Sequence, residues 1–142
     1  MANLFFKQVS NFNRDIIGYT FPPKPTKLPS TVKELLLIQL REEIDELENS
    51  NTLTDEVDAL IDLIYFAFGG LYKQGIEEDT FGALHTIVHN CNMTKVAGKK
   101  ASRGYDGTAQ DAVKPANFIP PERIICRFLN DEEFIKLNED VT

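Results

Sequence analysis

Residues 30–75 read STVKELLLIQLREEIDELENSNTLTDEVDALIDLIYFAFGGLYKQG, and this stretch decides the fold. Ser30-Thr31 opens a helical pattern, and Thr31-x-x-Glu34 fits a capping box in which each side chain satisfies an orphan backbone amide. Leu37, Leu40, Ile44 and Leu47 recur at helical spacing, which predicts a helix to about Glu48 with these residues as its core stripe. Asn49-Ser50-Asn51-Thr52 reads as a turn. A second helix is predicted from about Leu53 to Gln74, with Val57, Leu60, Ile61, Ile64 and Phe68 as its apolar stripe and Gly75 as its C-terminal cap. So short a turn makes the two helices antiparallel neighbours. Gly69-Gly70 lies inside the second helix, where each glycine costs about 1 kcal/mol relative to alanine. The pair implies either a close helix–helix approach or a break.

The same stretch carries the chemistry. In Arg41-Glu42-Glu43-Ile44-Asp45-Glu46, Glu43 and Glu46 are three apart and Glu42 and Glu46 four apart, so at about 100° per residue they project from one side. Asp55, Asp58 and Asp62 have the same three-and-four spacing on the second helix. In an antiparallel hairpin the two sets can face each other near the turn. Asp62 is the most informative residue, the only charge between Ala59 and Phe68. A helix apolar nearly all round is a buried one, and a buried carboxylate is costly unless paired or coordinated. No Lys or Arg lies within a turn of it. A hard divalent cation with oxygen ligands resolves the conflict. A glutamate-rich helix is by default a solvated face; Asp58 and Asp62 tip the reading toward metal. Di-iron carboxylate bundles use Glu-x-x-His on paired helices, a pattern this chain lacks.

Outward from the hairpin, Phe5, Val9, Phe12 and Ile16 mark one face of an amphipathic helix over residues 3–17, stopped at Gly18. Phe21-Pro22-Pro23-Lys24-Pro25-Thr26-Lys27-Leu28-Pro29 excludes helix and predicts a stiff, extended crossing segment. A fourth helix is expected over about 79–93. Residues 94–120, punctuated by Gly98, Gly104, Gly107, Pro115 and Pro120, read as irregular, with no strand, and a last helical piece runs from Pro121 toward the C-terminus. The whole is expected to be one all-α domain over residues 1–142, a bundle of four to five helices.

Composition narrows the function. A net charge of −7 disfavours nucleic-acid binding and admits a polyanionic nucleotide only through an intervening cation. No apolar run approaches a membrane span and the N-terminus lacks a signal-peptide pattern, so a cytoplasmic protein is expected, with no membrane partner. Cys91 and Cys126 form neither a CxxC pair nor a disulfide framework and are read as reduced thiols. His85 and His89 have zinc-compatible spacing but no third ligand, and Gly98-Lys99 lacks the rest of a P-loop.

Glu42-Glu43-x-x-Glu46, a turn, and an acidic helix leading into Leu63-Ile64-Tyr65 resemble the MazG-like all-α NTP pyrophosphohydrolases. Phe12-Asn13-Arg14 before a proline-rich segment, Asp58 to Tyr65 with Gly69, Gly75-Ile76, Val88-His89-x-x-Asn92-Met93-x-Lys95 and Lys114-x-x-Asn117-Phe118-x-Pro120-Pro121 are similar to its phage-type, phosphoribosyl-ATP pyrophosphohydrolase-like branch. The family hallmark is EExxE followed by ExxD. Here Glu56 is followed three later by Ala59, and the nearest match is Asp55-x-x-Asp58 with Asp62 one turn on, which leaves open which of the three bind metal directly.

The resemblance implies hydrolysis of a (d)NTP to (d)NMP and pyrophosphate by water attacking the α-phosphorus. Its expected cofactor is Mg²⁺, with Mn²⁺ able to substitute. Glu43, Glu46, Asp58 and Asp62 are the favoured ligands, Asp55 a further one, and Glu42 a water-orienting residue. It further implies nucleotide contacts from Asn92 and Lys95, joined by Lys114 and Asn117, with Arg103 in the basic run Lys99-Lys100-x-x-Arg103 as another phosphate contact. Phe12, Asn13 and Arg14 are base-pocket candidates, Phe12 being equally a core residue. A purine such as dGTP or GTP is the favoured substrate. A dUTP- or dCTP-type pyrophosphatase, phosphoribosyl-ATP hydrolysis and a non-catalytic helical dimerisation module are the alternatives. Family analogy and the apolar surplus on the second long helix imply a dimer or a dimer of dimers.

Overall fold

The computed structural model describes residues 4–100 and 111–139. Six α-helices appear in chain order: α1 (Leu4–Phe12), α2 (Ser30–Asn49), α3 (Leu53–Lys73), α4 (Glu78–Asn92), α5 (Glu122–Phe128) and α6 (Glu132–Leu137). A π-helical turn, Asn13–Ile17, continues α1, and two short strands, β1 (Val96–Gly98) and β2 (Asp111–Val113), form an antiparallel pair. The fold is all-α with this one small ribbon among the described residues. It divides into two compact units, Met1–Phe81 and Gly82–Thr142.

The α2–α3 hairpin is the frame of the first unit. Leu36 meets α3 at Gly70, and Glu43 meets it at Asp62, so as one helix advances the other recedes. The helices can pack closely because α3 presents small residues along this seam. Ala59 is completely buried, and a Cβ on Gly70 would stand 2.7 Å from Leu36 Cδ2. A Cβ on Gly69 would stand 3.1 Å from Asn13 Nδ2. Close approach, not a break, therefore explains the glycine pair, and α3 runs through it uninterrupted.

Several details depart from the sequence expectations. Helix α2 begins at Ser30 after Pro29, and no side chain caps it, so the Thr31/Glu34 box does not form. Its expected stripe is shifted: Leu37 and Ile44 are exposed, whereas Leu36 and Glu43 face α3. On α3, Val57, Leu60, Ile61 and Ile64 are each about half exposed, because an almost wholly apolar helix turns one apolar face to its neighbours and has a second left over. The inward face of α1 is Phe6, Val9 and Asn13 rather than Phe5, Phe12 and Ile16. Phe6 stacks on Phe81 (4.7 Å between centroids) and meets the edge of Phe68 (5.4 Å), which selects it over its neighbour Phe5.

The proline-rich segment behaves as expected of a stiff strap. It is pinned to the end of α3 by Thr26 N–H donating to Gln74 O (2.9 Å), by the Tyr72 hydroxyl donating to Tyr19 O (3.2 Å) and by Phe21 against Tyr72. Gly75 ends α3 in a left-handed conformation (φ +79°). A Cβ there would lie 2.8 Å from the Lys24 carbonyl oxygen of the strap.

In the second unit, Cys91 and Cys126 are free and buried. The strands, unexpected from sequence, pair Val96 with Val113, Ala97 with Ala112 and Gly98 with Asp111. The last helical piece is split into α5 and α6 by Asn130 (φ +53°), after which Asp131 caps α6 by accepting from Phe134 N–H (3.1 Å).

Gly75→Ala tests the strap. A left-handed alanine costs roughly 1–2 kcal/mol and here would also push a backbone carbonyl, so we expect a loss of roughly 2 kcal/mol or more in urea unfolding. Unchanged stability would show that the strap and the α3 terminus do not constrain each other.

Candidate metal centre

The α2–α3 seam places three carboxylates together. One oxygen from each of Glu43, Glu46 and Asp62 lies within 4.8 Å of the other two. Glu43 is only 8% exposed, Asp62 is half-buried and Glu46 is exposed, so the cluster opens to solvent on the Glu46 side. Glu43 sits deepest because it occupies the α2 position that faces α3.

The electrostatics are those of carboxylates crowded on one seam. Burial is the main force holding the Glu43 carboxyl high, followed by a hydrogen bond shared with Glu46 and by the charges of Glu46, Asp62 and Asp58, and together they push it up to about 7. Asp62 is raised too, by burial and by the charges of Asp58 and Glu46. Glu43 Oε2 is buried with no hydrogen-bond partner. Such an orphaned oxygen, in a set of oxygen donors only, fits a hard divalent cation, which would satisfy the lone pair and reverse the repulsion. The cluster can therefore hold a divalent metal through Glu43, Glu46 and Asp62.

The remaining acidic residues differ in placement. Asp58 is exposed, yet near enough for its charge to raise both Glu43 and Asp62. Asp55 lies in the first turn of α3, where its N–H donates to the Thr52 cap (3.1 Å), outside the close group. Glu42 is exposed and also outside it.

The N-terminal candidates have separate surroundings. The Phe12 ring meets Tyr65 edge-on at 5.4 Å. Asn13 is buried, its Nδ2 donating to Val9 O (2.9 Å). The Arg14 guanidinium is exposed and holds Asp15 through two bonds of 2.7 and 3.0 Å. In the second unit, Asn92 ends α4 and is exposed, as is Asn117. The Lys95 and Lys114 ammonium groups lie 5.5 and 5.4 Å from the centroid of Phe118. Arg103 lies outside the described residues. Sequence reasoning did not single out Phe118 as a ring that each of the two lysines lies against. The mirrored strings Lys95-Val96-Ala97-Gly98 and Asp111-Ala112-Val113-Lys114 carried that signal.

A close helical pair with an oxygen-only ligand cluster on its seam marks the all-α, MazG-like class of pyrophosphohydrolases. Residues 9–90, more than half of the chain, match the sequence profile of phosphoribosyl-ATP pyrophosphohydrolase, and the chain belongs to that family. No curated protein matches the chain.

The raised Glu43 fixes the sign of a pH effect. Below about 7 the folded, metal-free protein keeps a proton that the unfolded chain releases above about 4.5. That proton's stabilisation is therefore complete below 4.5 and is lost as pH rises through 7. In EDTA, we expect a higher Tm at pH 5.5 than at pH 8, and added Mg²⁺ or Mn²⁺ should raise Tm more at pH 8, where no proton need be displaced. Glu43→Gln should flatten both trends; a wild-type Tm indifferent to pH and metal would remove Glu43 from the ligand set.

Proposed function

We propose that the protein hydrolyses a nucleoside triphosphate to the monophosphate and pyrophosphate, using a Mg²⁺ or Mn²⁺ ion held by Glu43, Glu46 and Asp62 with Asp58 beside them. The observation that carries this reading is the buried, unpartnered Glu43 oxygen within 4.8 Å of two further carboxylate ligands. Family membership supports the reaction type. When bound, the metal supplies charge neutralisation and polarisation of phosphoryl oxygens.

The chain's own groups divide the remaining work. A substrate triphosphate brings about four negative charges, which the bare carboxylates would repel. Glu43, whose carboxyl burial and its acidic neighbours push up to about 7, would hold the cation as a carboxylate together with Glu46 and Asp62. Glu42, exposed at the adjacent position of α2, is the candidate to orient the attacking water. The bond formed is water oxygen to α-phosphorus; the bond broken joins that phosphorus to the bridging oxygen of the leaving pyrophosphate. Asn92, Lys95, Lys114 and Asn117, and Arg103 beyond the described residues, are our candidates for nucleotide contacts. Phe12, Asn13 and Arg14 are those for the base. A purine triphosphate such as dGTP or GTP is the favoured substrate. Phosphoribosyl-ATP is the second reading, favoured by the description of the matched family.

A second copy of the chain is the proposed partner. Leu35 and Ile38 on α2 and Leu60, Ile61 and Ile64 on α3 are each about half exposed, an apolar surplus larger than scattered surface residues account for. Ile61→Glu with Ile64→Glu should convert an oligomer to a monomer in sedimentation velocity. A wild-type monomer at micromolar concentration would end this part of the proposal.

The decisive assay offers the eight common NTPs and dNTPs, together with phosphoribosyl-ATP, to the protein with Mg²⁺ or Mn²⁺. Monophosphate plus pyrophosphate should form from one or a few of them and cease with EDTA. Asp62→Asn should lower turnover by roughly two orders of magnitude or more while leaving the circular dichroism unchanged. A folded protein that turns over none of these with metal present would favour a non-catalytic helical interaction module.

A further inference from the structure

The face of α3 that carries Asp62 continues beyond the carboxylates as Tyr65, Gly69 and Tyr72, and at helical spacing these four positions fall within a sector of about 80°. The N-terminal segment lies along the last three of them in order. The Phe12 ring meets Tyr65 edge-on at 5.4 Å. Asn13 meets Gly69, and the Phe21 ring meets Tyr72 at 5.2 Å. Tyr65 lies about 4.5 Å along the helix axis from Asp62, so Phe12 makes the contact of the row that is nearest the carboxylate cluster. Phe12 is 37% exposed and Tyr65 is half-buried, which leaves part of the ring pair open to a ligand.

Asn13 itself is closed to a ligand. It is 5% exposed, and its Nδ2 donates to Val9 O (2.9 Å). Both ends of its amide lie over Gly69, where a Cβ would stand 3.1 Å from Nδ2 and 3.6 Å from Oδ1. Its backbone carbonyl accepts from Gly18 N–H and from Tyr19 N–H (3.0 Å), closing the π-helical turn. Packing alone does not call for this arrangement, since an apolar side chain at 13 opposite alanine at 69 would fill the same notch without burying an amide. What the amide adds is direction. Bonded to Val9 within α1 and seated on the backbone of α3, it fixes how the last turn of α1 is rotated about its axis, and with it the aim of Phe12, the preceding residue.

We propose that Asn13 is a positioning residue for the substrate's base: its amide, seated on Gly69, aims the Phe12 ring at Tyr65 beside the carboxylate cluster, and the base stacks against that ring pair without touching Asn13. The proposal deepens the pyrophosphohydrolase reading and rests on it for the ligand being a nucleotide. It separates the N-terminal candidates by role, since Phe12 offers a surface and Asn13 supports it from behind. It also gives Gly69 a purpose beyond helix packing, because any side chain there would displace the amide.

The test is calorimetry on the full chain with Mg²⁺. The probes are the α,β-methylene analogues of dGTP, dATP, dCTP and dTTP, in which the scissile oxygen is replaced, and inorganic tripolyphosphate, which has no base. Wild type should bind at least one analogue more tightly than tripolyphosphate. Asn13→Ala and Gly69→Ala should each weaken that analogue by about fivefold or more, as when a base loses a stacked ring, and leave tripolyphosphate binding unchanged. Phe12→Leu should give the same loss. Asn13→Ala added to Phe12→Leu should then cost nothing more, the non-additivity of one residue acting through another. Gly69→Ala should likewise add nothing to Asn13→Ala. If Asn13→Ala does not fold, Gly69→Ala tests the same contact without removing the amide. Losses that appear equally with tripolyphosphate, or that add in full to Phe12→Leu, make Asn13 a structural residue and overturn the proposal. Undiminished analogue binding in the folded variants overturns it too, as does a wild type that prefers no analogue over tripolyphosphate. Each of these leaves the hydrolytic reading in place, whereas a wild type that binds neither analogue nor tripolyphosphate counts against both.

Discussion

The structure depends on one contact, the seam where α2 and α3 press together around Glu43. A carboxylate at a position that is only 8% exposed, beside two others, is unfavourable in a protein that must fold without help. The fold tolerates it because the rest of the seam is made of residues that allow close packing. Ala59 is fully buried and Gly69-Gly70 let Asn13 and Leu36 approach. The same closeness that stabilises the hairpin also brings the acidic residues within reach of one another. Burial, and then that proximity, push the Glu43 carboxyl up to about 7, and a divalent cation would offset the same repulsion.

Much of this was legible in the sequence, for reasons that can be named. The two long helices were readable because their turn signals and apolar spacing agree over 20 and 21 residues. Asp62 was readable as a member of the carboxylate cluster because it interrupts an apolar run. Glu43 and Glu46 followed from helical spacing across a short turn. The double glycine could be read only as an alternative, since contact and break leave the same residues in the sequence.

What stayed hidden was phase and pairing. Helix α3 is apolar nearly all round, so periodicity could not say which stripe faces inward, and Val57, Leu60, Ile61 and Ile64 proved to be the outer one. In α1 both Phe5 and Phe6 are candidates for the core, and a stacked ring contributed by Phe81, far along the chain, makes the choice. The ribbon has strands of three residues, below the length at which alternation can be recognised. Its mirrored Lys-Val-Ala-Gly and Asp-Ala-Val-Lys strings become meaningful only once the register is known.

The charge distribution ties these elements together. The acidic chain concentrates a carboxylate cluster on the α2–α3 seam, whereas beside the ribbon Lys95 and Lys114 each lie against the Phe118 ring. The carboxylate grouping is self-repulsive and is held by the small-residue seam, while the Phe118 ring attracts each lysine. Evenly mixed charges would make a more stable surface. Like charges crowded on a fixed scaffold store repulsion that a ligand of opposite sign would relieve, here a divalent cation.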